Sequence, residues 1–149
     1  MTHLIIYRNT IFCIAMLLNS LWFGCNFFYV YVVQHSVSLL NPVQQTSIKL
    51  QCLKKLFLIN WGCLLLLLII ESLLILMKGF STLVVQYLLI GAFTMIVIAL
   101  FILYRADFKF YTNAKRSIRP KSELFDKINT LLKFIVILSI INCALLNFV

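Results

Sequence analysis

Glu71 is the one acidic side chain more than a turn inside any long apolar run of this 149-residue chain. A carboxyl group at such a depth either pairs with a neighbour and ties helices together, or marks the path of a proton or cation. Lys78 stands seven residues further on, about 10 Å along a helix that rises ~1.5 Å per residue, and Arg8 enters from the same side. A structural tie through Arg8 or Lys78 is the favoured reading, because no second acidic residue stands nearby to relay a proton. Other polar groups inside apolar runs include Asn19, Asn26, Asn60, Gln86, Thr94 and Asn142. They are candidates to line an ion path or to hold helices in register.

The five cysteines at 13, 25, 52, 63 and 143 form no CxxC pair, so neither a zinc site nor a disulfide framework is indicated. Cys13 and Met16 lie one helical turn apart and with Cys25 offer soft ligands of the kind Cu(I) prefers. Sulfur in an apolar helix is more often packing, and no metal is expected. His35 sits at the end of an apolar run with no partner near it in sequence, as a hydrated boundary residue does. No nucleophile stands beside a base, no carboxylates are paired, and no metal-ligand spacing recurs. An enzyme ranks last, with no catalytic residue and no cofactor expected.

The elements that must position these groups follow from composition. The chain is 63% hydrophobic and 11% charged, against roughly half and a quarter in soluble domains. A globular core of this length cannot hide that much apolar surface, whereas four spans of ~20 residues use the whole chain. The expectation is an all-α protein: a single integral membrane domain over residues 1–149, folded as an antiparallel four-helix bundle. The spans fall at about 9–33, 56–77, 83–104 and 125–147, with linkers at about 34–55 and 105–124. The N-terminal apolar run is too long for a signal-peptide core. Asn41-Pro42 starts the second helix, since Asn caps well and Pro suits the first helical position. Ser122 caps the fourth, with Glu123 in its first turn.

Helices in lipid have no hydrophobic reason to associate, so small residues that admit a close neighbour mark their seams. Ser20 and Gly24 make one such pair in the first span, Ser139 and Cys143 another in the fourth, and Gly91-Ala92 a third place of close contact. Asn19, Phe23 and Asn26 share a face, which turns two amides towards the other helices.

The net charge of +9 comes from thirteen Lys and Arg placed almost wholly in the linkers, so it is a topology signal and does not point to nucleic acid. Lys49, Lys54 and Lys55 lie in one linker and seven more bases between Arg105 and Lys127, against Arg8 and Lys78 on the other side. The long linkers are therefore expected in the cytoplasm and both termini outside it. Lys54, Lys55, Lys115, Arg116, Arg119 and Lys121 are the candidates to meet lipid headgroups, at about 1 kcal/mol each near an anionic surface.

The run Leu18-Asn19-Ser20-Leu21-Trp22-Phe23-Gly24, followed by Phe27-Phe28 and Val32-Val33, resembles the first span of the transmembrane protein 205-like family. Lys55-Leu56-Phe57 ahead of span two, and Phe125 before a last helix with Ser139 and Asn142, agree loosely with it. The resemblance implies a small four-span membrane protein of unknown function, with suggested links to metal handling or stress tolerance. Two functions compete on these grounds. One is a non-catalytic accessory or scaffold component, whose partners are the bilayer and other membrane subunits or further copies of itself. The other is a small ion or metal transporter or channel using Glu71 and the intramembrane amides.

Overall fold

A computed structural model describes the backbone of residues 2–76, 83–114 and 122–148. All the described elements are helical: α1 (Thr2–Phe27), a π-helical segment (Phe28–Val33), α2 (Gln34–Ser38), α3 (Pro42–Leu76), α4 (Leu83–Ala114) and α5 (Ser122–Asn147). Four stretches, Asn9–Ser38, Gln44–Leu76, Val85–Phe110 and Glu123–Asn147, are long and apolar enough to cross a membrane.

The helices run further than the apolar segments suggest. Residues 34–55, outside the apolar segments, are helical on both sides of a break at Leu39–Asn41, and α3 begins at Pro42 where the Asn41-Pro42 signal puts it. Pro42 opens α3 as its fixed φ allows, and the Asn41 carbonyl accepts from Gln45 N–H at 2.9 Å. The Gln45 side-chain amide donates to the carbonyls of Ser38 (3.1 Å) and Leu40 (2.6 Å), which ties the tight turn together. The π segment is a wider turn, with Gln34 N–H donating to the Tyr29 carbonyl. Two adjacent residues, Tyr29 and Val30, are both buried there.

Each long helix buries a stripe of strict spacing. On α4 the buried residues are Leu89, Ala92, Ile96, Ala99, Leu103, Ala106 and Phe110, alternating steps of three and four. The same alternation runs through Ala15, Asn19, Trp22 and Asn26 on α1, through Leu53, Phe57, Asn60, Leu64, Leu67, Glu71 and Leu74 on α3, and through Ile128, Leu132, Ile135, Ser139, Asn142 and Leu146 on α5. A mean step of 3.5 keeps one face turned to its neighbours along the whole helix, with knobs-into-holes packing. Accordingly α1 packs on α3 and α5, and α4 packs on the same two, which closes the helical bundle. The stripe on α4 continues through Ala106 to Phe110, so the helix carries on past Tyr104 into residues expected as linker.

Candidate functional site

The buried stripes are not wholly apolar. Asn19, Asn26, Asn60, Glu71, Ser139 and Asn142 occupy core positions and are fully buried. Leucine at these positions gives the same heptad pattern, so their polarity is the distinctive feature of the interior.

Two of the amides satisfy each other. Asn26 Nδ2 donates to Asn60 Oδ1 at 2.7 Å and Asn60 Nδ2 returns a bond to Asn26 Oδ1 at 2.9 Å. The Asn26 amide also donates to its own helix at the Trp22 carbonyl, at 2.7 Å. A second link joins α5 to α3, where Asn142 Nδ2 donates to Glu71 Oε1 at 3.2 Å. Ser139 turns its hydroxyl back onto the Val136 carbonyl at 2.7 Å.

Several buried polar atoms have no partner: both amide atoms of Asn19, Trp22 Nε1, Glu71 Oε2 and Asn142 Oδ1. Of these, Asn19 Nδ2 and Trp22 Nε1 are donors, while Asn19 Oδ1, Glu71 Oε2 and Asn142 Oδ1 can accept, and buried groups of this kind normally find a partner. The partner of Glu71 inside the bundle is thus an amide. The basic partners expected for it, Lys78 and the side chain of Arg8, lie outside the described residues.

The small-residue seams divide. Gly91 lies against α5, where a Cβ would stand 3.6 Å from Leu145 Cδ1. Ser139 is in the core and Cys143 half-buried beside it. Ser20 and Gly24, the docking seam expected on α1, face outward from the bundle. A Cβ at Gly24 meets nothing within 4 Å, and the exposed Ser20 hydroxyl donates to its own Met16 carbonyl at 2.9 Å. The reason is the stripe through Asn19, Trp22 and Asn26: once that face turns inward, Ser20 and Gly24 fall outside it. Gln86, expected in the interior, is likewise exposed, because Leu89 and Ala92 take the inward face of α4. Cys13 is exposed and twelve residues from Cys25, about 18 Å along one helix, too far to share a metal ion. Among the described residues no three His, Cys, Asp or Glu side chains group so as to hold one.

Lys54 and Lys55 are exposed, while Lys115, Arg116, Arg119 and Lys121 lie outside the described residues. A residue that the sequence reading left in the linker proves more informative. Asp107 is half-buried on α4 and its Oδ2 accepts from Trp61 Nε1 at 3.2 Å, while Oδ1 is buried without a partner. The continuation of the heptad through Ala106 and Phe110 was the signal that Asp107 stands on a packed helix.

Among the described residues every element is helical, and four helices are long and apolar enough to cross a membrane. No protein family, no curated protein and no solved structure matches the chain.

Proposed function

We propose that the chain is an integral membrane protein of four antiparallel spans, with both termini outside the cytoplasm, which serves as a non-catalytic accessory component of a membrane assembly. The observation that carries this reading is the outward seam of α1. Ser20 and Gly24 lie in an uncovered stripe with Leu17, Leu21, Phe28 and Tyr31, and the Ser20 hydroxyl needs no outside partner. Such a notch in an apolar face admits the backbone of another helix, from a different subunit or a second copy. The antiparallel arrangement is supported by the pairing of Asn26 with Asn60 while Ala15 clusters with Leu74. The orientation rests on the linker charge. The test is purification in gentle detergent of the wild type and of Gly24→Leu. A partner subunit or dimer lost on substitution supports the proposal; a lone wild-type monomer overturns it.

A second reading, a small ion or proton transporter, draws on the partnerless Glu71 Oε2 and Asn19 amide. It requires Glu71→Gln to abolish ion flux in vesicles while the protein stays folded.

A further inference from the structure

The bond between Glu71 and Asn142 crosses the middle of the bundle. Helices α3 and α5 stand diagonally, each flanked by α1 and α4, and both side chains are fully buried. One helical turn further along the same stripes, Leu74 and Leu146 cluster with Ala15, Leu89 and Ala92, so the pair is bordered by apolar groups. Ionisable groups near it are few. Among the described residues they are Cys13 on α1 and Tyr87 on α4, both exposed, Cys63 eight residues back on α3, and on α5 the half-buried Cys143 and the exposed Lys133, nine residues before Asn142. No described Lys, Arg or His shares the buried stripes.

Two oxygens of this pair are the anomaly. Asn142 Nδ2 donates to Glu71 Oε1 at 3.2 Å, and the atoms left over on the two groups, Glu71 Oε2 and Asn142 Oδ1, are both buried oxygens without a partner. An ionised carboxylate can only accept, and a primary amide turns one N–H and one oxygen towards a planar group that it faces. Turning the amide over exchanges its two ends and still sets one oxygen against a carboxylate oxygen. The 3.2 Å bond is also the length of a neutral hydrogen bond, whereas one to an ionised group draws in to about 2.7–2.9 Å.

A single proton removes both faults. On Oε2 it turns an acceptor into a donor, and it cancels a charge whose burial without a cation costs far more than that of a neutral acid. We propose that Glu71 binds a proton at Oε2 and, as a neutral acid, closes a two-bond ring with the Asn142 amide that latches α3 to α5. Asn142 Nδ2 donates to Oε1, and the acid O–H donates to Asn142 Oδ1. The ring is the acid counterpart of the reciprocal pair that Asn26 and Asn60 make at 2.7 and 2.9 Å. Loss of the proton sets Oε2 and Oδ1 against each other and opens the latch.

The inference rests on the burial of Glu71 and takes from the membrane reading above only the bilayer in which it is tested. The chain has two glutamates, Glu71 and the exposed Glu123 in the first turn of α5. Full-length Glu123→Gln protein, labelled with carbon-13 at the glutamate carboxyl, therefore carries the label on Glu71 alone. Its infrared spectrum in lipid vesicles at neutral pH is expected to show a neutral-acid carbonyl band that moves with the label, with no labelled carboxylate band. Glu71→Gln in that background loses the band, and Asn142→Leu shifts it to the higher frequency of an acid without a hydrogen-bonded partner. Label found in the carboxylate bands overturns the bound proton, and an acid band unmoved by Asn142→Leu overturns the ring. The first measurement changes nothing near Glu71, so it decides even where Asn142→Leu fails to fold. Failure of the chain to enter vesicles overturns the membrane reading instead, and the same spectrum in detergent micelles still decides the proton.

Discussion

Asn26 and Asn60 exchange two hydrogen bonds, 2.7 and 2.9 Å, between fully buried positions of α1 and α3. Both stand on the heptad stripes of their helices, where one register alone brings amide to amide. A slip by one helical turn sets Asn26 against Phe57 or Leu64 and Asn60 against Trp22 or Tyr29, which is how a buried Asn pair specifies alignment at some cost in stability. If the helices lie in lipid as proposed, the pair does for α1 and α3 what apolar packing cannot, since there leucine meets leucine or an acyl chain with equal ease.

This arrangement predicts non-additive mutations. Asn60→Leu strands the Asn26 carbonyl, and Asn26→Leu strands the whole Asn60 amide. Each single change is expected to cost about 1 kcal/mol, near the middle of the range for interhelical hydrogen bonds in membranes. The double variant is expected to cost less than the sum, since no buried amide is left unpaired. Reversible unfolding in mixed micelles across the double-mutant cycle measures the coupling. Additive losses contradict the pairing.

The glycines separate the inside of the bundle from its outside. A Cβ at Gly91 makes ordinary contact with Leu145, and Gly24 is open. Gly91→Ala should be tolerated, whereas Gly91→Leu should lose roughly 1–3 kcal/mol by forcing α4 and α5 apart. Gly24→Leu should leave the unfolding of the isolated chain unchanged. A stability loss at Gly24 matching that at Gly91 would mean that α1 is rotated from the orientation described.

Three alanines, Ala92, Ala99 and Ala106, stand seven residues apart on the buried stripe of α4, each fully buried. Their size sets how near α4 lies to α3 and α5. Ala99→Leu adds volume where no side chain can move to solvent, with an expected loss of about 1–3 kcal/mol. Ala144→Leu, at an exposed position of α5, serves as the control. Thermal aggregation temperatures in one detergent compare the two. Equal behaviour would remove the packing argument.

How much of this was legible beforehand depends on which residues carried the signal. The four apolar runs and the Pro42 start could be read directly, because length in lipid and proline geometry are local properties. The inward face of α1 was also readable, since Asn19 and Asn26 cannot be shown to lipid cheaply. With that face inward Ser20 and Gly24 fall outside it, and small size alone does not say which neighbour a seam serves. Asp107 escaped notice because Arg105 and Lys109 flank it and the trio reads as linker. Only the spacing of Leu103, Ala106 and Phe110 reveals a packed helix there. The pairing of Glu71 with Asn142 spans 71 residues of sequence, and no local pattern holds information of that range.

That pair separates a structural carboxyl from a transporting one. Glu71 Oε1 accepts from the Asn142 amide at 3.2 Å, and Oε2 has no partner. Glu71→Gln keeps a carbonyl oxygen for Asn142, so its stability should change by no more than ~0.5 kcal/mol, within the range of interhelical bonds it preserves. Glu71→Leu removes the acceptor and leaves a buried amide unpaired, at an expected ~1–3 kcal/mol. Adding Asn142→Leu should then recover part of that loss, because two apolar groups replace a broken pair. Unfolding midpoints of the four proteins test the ladder, and an ion-flux assay on Glu71→Gln in vesicles completes it. A folded but flux-dead Glu71→Gln variant assigns the carboxyl to an ion path. The same flux in Glu71→Gln as in the wild type, with instability only in Glu71→Leu, leaves Glu71 as a clamp between α3 and α5.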